Sequence, residues 1–142
     1  MKKFDKAGLR CFFAAIILAS VVACNTASVY DDDATILKGA DSGSKTSSVS
    51  NNTGDSYTHR AASFSGMETV RTVKKDGSLA LDINLSISSG RFKLVLAGGN
   101  QVYTVCDQNI SGQVDLSGLP NGTYKLKIVG DHASFDLSVQ NW

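Results

Sequence analysis

The stretch that decides the fold runs Leu79-Ala80-Leu81-Asp82-Ile83-Asn84-Leu85-Ser86-Ile87-Ser88-Ser89-Gly90-Arg91-Phe92-Lys93-Leu94-Val95-Leu96. Leu79, Leu81, Ile83, Leu85 and Ile87 recur at every second position, with Ala80, Asp82, Asn84, Ser86 and Ser88 between them. Extended chain sends successive side chains to opposite faces, so this period of two marks a strand with one apolar and one polar face. Ser89-Gly90 reads as a turn, after which Phe92, Leu94 and Leu96 resume the alternation. Gly98-Gly99-Asn100 reads as a second hairpin turn, leading into a strand through Val102 and Thr104.

Outward from this centre the same texture continues. A strand around 67–73 ends at the turn signal Lys75-Asp76-Gly77, and others fall at 114–116, through Tyr124, Leu126 and Ile128, and through Phe135, Leu137 and Val139. No stretch after residue 63 reads as a helix. About seven short strands, with turns roughly every ten residues, predict an all-β domain over 64–142: a small antiparallel sandwich of two sheets.

Between the fifth and sixth strands stands Leu116-Ser117-Gly118-Leu119-Pro120-Asn121-Gly122-Thr123-Tyr124. Pro120 cannot donate to a ladder and Asn121-Gly122 tolerates positive φ, so the chain turns here. The segment resembles the tyrosine corner of fibronectin type III and other immunoglobulin-like domains, which implies that the Tyr124 hydroxyl bonds back to the corner backbone. The resemblance carries only the architecture, since no Trp lies near the second or third strand.

The N-terminus has a different texture. Lys2, Lys3, Lys6 and Arg10 outweigh Asp5, and residues 11–23 are almost wholly apolar. As a helix this run reaches only about 20 Å, short of a hydrocarbon core of about 30 Å. A basic start, a short apolar run and small residues at its end are the pattern of a secretory signal peptide, here 1–23. Its end, Val21-Val22-Ala23-Cys24, resembles the lipobox of bacterial lipoproteins. That resemblance implies a diacylglyceryl thioether on Cys24 and cleavage between Ala23 and Cys24, with Val21, Val22 and Ala23 as the peptidase recognition residues. Cys11 is no rival, because Arg10 stands where a small residue is needed. Two acyl chains acting independently give a membrane affinity near about 10⁸ M⁻¹, so release is not expected. Asn25 is not acidic, and nothing here argues for inner-membrane retention.

Residues 24–63, after the modified cysteine, are rich in Ser, Thr, Asn, Gly and Asp, a composition predicting a disordered tether. A flexible coil of that length spans about 35 Å, enough to float the domain clear of the headgroups. Asp31, Asp32 and Asp33 lack the spaced ligands and glycine of an EF-hand loop and read as solvated charge.

Residues 64–142 carry seven basic and seven acidic side chains, a neutral balance that gives no field to draw in nucleic acid. Once Cys24 is modified, Cys106 is the one cysteine left in the mature chain, so no internal disulfide is expected, and Cys106 reads as a small half-buried hydrophobe near a strand end. His59 falls in the tether. His132 with Asp131 and Ser134 spells the letters of a triad, but positions on one turn cannot surround a substrate atom. No catalytic set, metal cluster or cofactor motif is read, and Gly98-Gly99 is taken as a turn rather than a phosphate loop.

One surface pattern points to a ligand. With Phe92, Leu94 and Leu96 inward, Arg91, Lys93 and Val95 face outward, and by the same rule so do Lys125, Lys127 and Val129. Lys93, Lys125 and Lys127 would then form a basic stripe suited to an anionic envelope polymer, with Asp136 as a neutralising charge; the plainer reading of the same residues is a solvated sheet face that discourages aggregation. The whole predicts an extracytoplasmic β-sandwich anchored to the membrane through Cys24, with a binding, adhesion or envelope-structure role. An enzyme or enzyme accessory module, or a spacer without ligand, are the alternatives.

Overall fold

The computed structural model describes residues 28–142; the expected signal peptide 1–23, with Val21, Val22 and Ala23, and the expected lipidation site Cys24 lie outside the described residues. A 3₁₀ turn at Val29–Asp31 leads into α1 (Asp33–Lys38). Seven strands follow: β1 (Ser42–Thr46), β2 (Val49–Asn52), β3 (Ser56–Lys75), β4 (Ala80–Gly98), β5 (Gln101–Cys106), β6 (Ile110–Asp115) and β7 (Gly122–Gln140). Every pairing is antiparallel, as the alternating segments predict.

The strands build one sheet, not the two separate sheets expected. Its order is β1-β3-β7-β4-β5, with β2 sharing the outer edge of β3 with β1, and β6 sharing the outer edge of β4 with β5. The difference comes from three strands of 19 or 20 residues. What reads as two strands joined at Ser89-Gly90 is the single strand β4, and the last two expected strands are the single strand β7.

The apparent turns are bulges. The β4–β7 register shifts between Ile87 and Ser89 and again before Arg91, and the β3–β7 register shifts at the same level, between Ala61 and Gly66. Inner-face positions in β4 are odd through Ile87 and even from Phe92; in β7 they are even through Ile128 and odd from Ala133. An odd-to-even change would normally send the apolar set to the wrong face, and the extra residue at each bulge restores it while bending the strand. Gly90 has φ +71, and a Cβ there would lie 2.0 Å from the His132 carbonyl oxygen, so only glycine fits. His132 is itself left-handed (φ 51), with its N–H donating to Ser65 Oγ at 2.9 Å.

The bend splits the sheet into two halves. Leu81, Ile83, Leu137 and Val139 from the first half, and Leu94, Leu96, Leu126 and Ile128 from the second, are fully buried in one cluster. Among the described residues the opposite half of the sheet covers most of this inner face, with Leu79, Leu116, Leu119 and Trp142 closing its edges, so the sheet folds over on itself. Phe64, Phe92 and Phe135 fill the bend, the last two with ring centroids 4.2 Å apart. The free ends meet across the fold. Arg71 lies 4.5 Å above the Trp142 ring, and Trp142 and Arg71 both donate to the Gly54 carbonyl.

Tyr124 is buried, and its hydroxyl donates to the Pro120 carbonyl four residues back, the bond expected of the corner. Its ring sits edge-on to Tyr103.

Residues 28–63 depart most from expectation, because they carry regular structure rather than a disordered tether. Every residue of β1 and β2 is exposed, so these strands bury no apolar surface and composition gives no sign of them. Ladder bonds to β3 hold them, with Gly43 against Gly66 where the backbones approach closely. Residues 28–41 instead cap the outer face of the second half-sheet, where Ile36 joins Met67, Val95 and Val129 in a second small core.

Candidate functional site

The three lysines of the expected stripe do project from the outer face of the second half-sheet, in the register Lys93 opposite Val129, Val95 opposite Lys127 and Ala97 opposite Lys125. That face is not free. Residues 28–39 lie over it, Lys127 is 1% exposed, and its Nζ donates to the Ile36 carbonyl at 2.7 Å. The bond satisfies one of the last carbonyls of α1, at the end of a helix where a cation is favoured. Lys93 sits 4.7 Å from the Tyr30 ring and 3.8 Å from Asp33, and Arg91 stacks on the same ring while pairing with Asp31 and Asp131. Lys125 alone stays exposed. Lys93 and Lys127 therefore fasten the N-terminal segment, and no continuous basic stripe faces solvent.

Burial pushes the Lys127 ammonium below its ordinary value, with the Asp41 charge acting in the opposite direction. Lys127→Ala removes both the stem that fills this space and the donor to Ile36. We expect the segment to open more often, with tryptic cleavage after the exposed Lys38 on the order of ten-fold faster than in the parent. Lys127→Met keeps the stem and should fall between the two. Unchanged cleavage in the alanine variant would show that the segment is held without this lysine.

The second feature is a polar trio at the junction of β1 and β2, which lie end to end along β3; sequence reading missed it by assigning His59 to the tether. His59 is 1% exposed; its Nε2 lies 2.7 Å from Ser48 Oγ and its Nδ1 2.7 Å from Tyr57 Oη. Tyr57, His59 and Ala61 share the inner face by the usual alternation, which was the available signal. Phe64 and Phe135 pack against the imidazole. A neutral ring donates at one nitrogen and accepts at the other, so both hydroxyls are satisfied at once. Ser48 with a base at hydrogen-bond distance has the makings of a nucleophile. Burial of the imidazole, however, fits a tie between the β1–β2 link and the core.

Burial lowers the proton affinity of His59, with Glu68 opposing and Lys45 adding to the effect. Between pH 7.5 and 5.5 the unfolded chain takes up a proton, around its ordinary value of about 6.5, that the folded chain resists. Stability is therefore complete above that value and falls as pH drops through it. The carboxylates held below their ordinary range, Asp32, Asp115 and Asp131, titrate lower and do not contribute in this window. Thermal melts at the two pH values should show a fall in melting temperature that largely vanishes in His59→Gln. An equal fall in both proteins would assign the acid sensitivity elsewhere.

The letters of a triad on β7 do not assemble. His132 Nδ1 pairs with Asp131 Oδ1 at 2.7 Å on an 84% exposed ring, while Ser134 Oγ accepts from Ser88 Oγ. Cys106 is a core residue, and burial pushes its thiol up to about 11, so it is not a thiolate at neutral pH. Among the described residues no His, Cys, Asp or Glu cluster could hold a metal ion.

The outer face of the first half-sheet is open. Thr58, Ser138 and Asn84 form one row across β3, β7 and β4, and Arg60, Asp136 and Ser86 form the next. Arg60 pairs with Asp136, leaving a neutral surface of short hydrogen-bonding side chains around a shallow groove that also takes in Ser88 and Ser134. Comparison with known proteins adds no name: no family model, no curated protein and no solved structure matches the chain.

Proposed function

We propose that the chain is an exported lipoprotein, anchored by a diacylglyceryl group on Cys24 to the outer side of a membrane, whose β domain serves binding, adhesion or envelope structure. The observation that carries this reading is Val21-Val22-Ala23-Cys24 closing a basic, short apolar leader. The open face of the first half-sheet supports a binding role. It offers donors and acceptors in rows, without net charge, to an envelope polymer or protein. A hydrolytic reading would rest on Ser48 and His59, and the burial of His59 weighs against it.

The test is retention of envelope fractions of the source cell by the immobilised mature protein. The expected result is saturable retention of a polymer or protein that Ser86→Arg, on the open face, weakens. Absence of any saturable retention would leave the spacer reading in its place.

A further inference from the structure

We infer that the bend of the sheet is the pole of the domain that faces the lipid headgroups, and that the free strand ends point away from the membrane. This deepens the proposal above and rests on its anchor at Cys24. Ser28 stands only four positions after Cys24, and its side chain accepts from the Tyr30 N–H as the cap of the 3₁₀ turn. Whatever the conformation between them, four residues reach no further than about 14 Å.

Where Ser28 is fixed then decides the orientation. Its turn is held at the bend: Tyr30 lies under Arg91, and Asp31 joins the Arg91 guanidinium, which also holds Asp131 beside the bulge. From Arg91 to Gly98, and from Asp131 back to Gly122, the second half-sheet extends about 23 to 30 Å at strand rise. The hairpin tip at Gly98 to Gln101, the turn at Asp76 to Ser78 and the Trp142–Arg71 closure lie at that far end. The anchor is thus shorter than the domain it holds, and it leaves from one pole. The open rows Thr58-Ser138-Asn84 and Arg60-Asp136-Ser86 stand on a wall rising from the bilayer, accessible from the side.

The full-length lipoprotein tests this directly. In a Cys106→Ala background, Ser89→Cys at the bend or Ser78→Cys at the far turn carries a single fluorophore, both sites being exposed. The labelled proteins are reconstituted into phosphatidylcholine vesicles containing a nitroxide-headgroup lipid and floated without detergent. Given the reach and span above, quenching at Ser89 should exceed that at Ser78 on the order of three-fold. Equal quenching, or stronger quenching at Ser78, in protein that floats with the vesicles overturns the orientation while leaving the anchor intact. Protein that does not float overturns the anchor, and the orientation with it.

Discussion

Phe135→Ala is expected to leave the domain at or beyond the edge of unfolding. Phe135 is buried where the three long strands bend, against Phe92, Phe64 and the His59 ring. Truncating a fully packed phenylalanine costs about 3–5 kcal/mol, because the lost transfer energy is joined by the cavity left behind. Domains of this size have only about 5–15 kcal/mol in total. The bend gives the cavity little chance to collapse, since Gly90 is locked against the His132 carbonyl and Gly130 against the Phe64 ring. Phe135→Leu, which keeps most of the volume, should lose much less. Val49→Thr, at a site 73% exposed, should lose almost nothing. Urea melts of residues 28–142, which hold both cores as they stand among the described residues, decide it. An alanine variant as stable as the parent would show that the bend is not the keystone of the core.

Cys24→Ser is expected to abolish lipid attachment and cleavage together. A serine hydroxyl cannot form the thioether, and on this reading the peptidase acts only on the modified residue. The variant should persist with residues 1–23 still attached and incorporate no labelled glycerol. Cys106→Ser, which alters a buried residue more than eighty positions after the leader in sequence, should leave both steps unchanged. Normal cleavage after Ala23 in the Cys24→Ser variant would point to an ordinary secretory signal peptide.

Much of the fold is legible in the alternation from Leu79 onward, because a half-buried strand writes its two faces into sequence directly. The all-β class and the inner-face residues of β4 and β7 follow from it, whereas the bond from Tyr124 back to its turn was implied by a resemblance carried on residues 116–124. The continuity of β4 and β7 does not. A hairpin turn and a glycine bulge both interrupt the alternation, and Ser89-Gly90 suits either. The pairing of Gly90 with a left-handed His132 on the neighbouring strand is a tertiary fact.

The N-terminal region was the least legible, for two physical reasons. β1 and β2 are exposed along their whole length and held by ladder bonds and a few polar side-chain contacts, which leave no apolar pattern in the sequence. Residues 28–41 contribute only Val29, Tyr30 and Ile36 to the second core, too few to set a period. The outward placement of Val95 and Val129 beside the lysines was the overlooked hint. Two buried valines on a face read as polar mean that something covers it.

Mass spectrometry of the N-terminal peptide, from protein extracted from the membrane with detergent, tests the anchor most directly. A lipoprotein processed as proposed gives a peptide beginning at Cys24 and heavier than its sequence by a diacylglyceryl group, with or without a further acyl chain on the new amine. An unmodified peptide, whether it starts at Met1 or at another residue near the end of the apolar run, would contradict it.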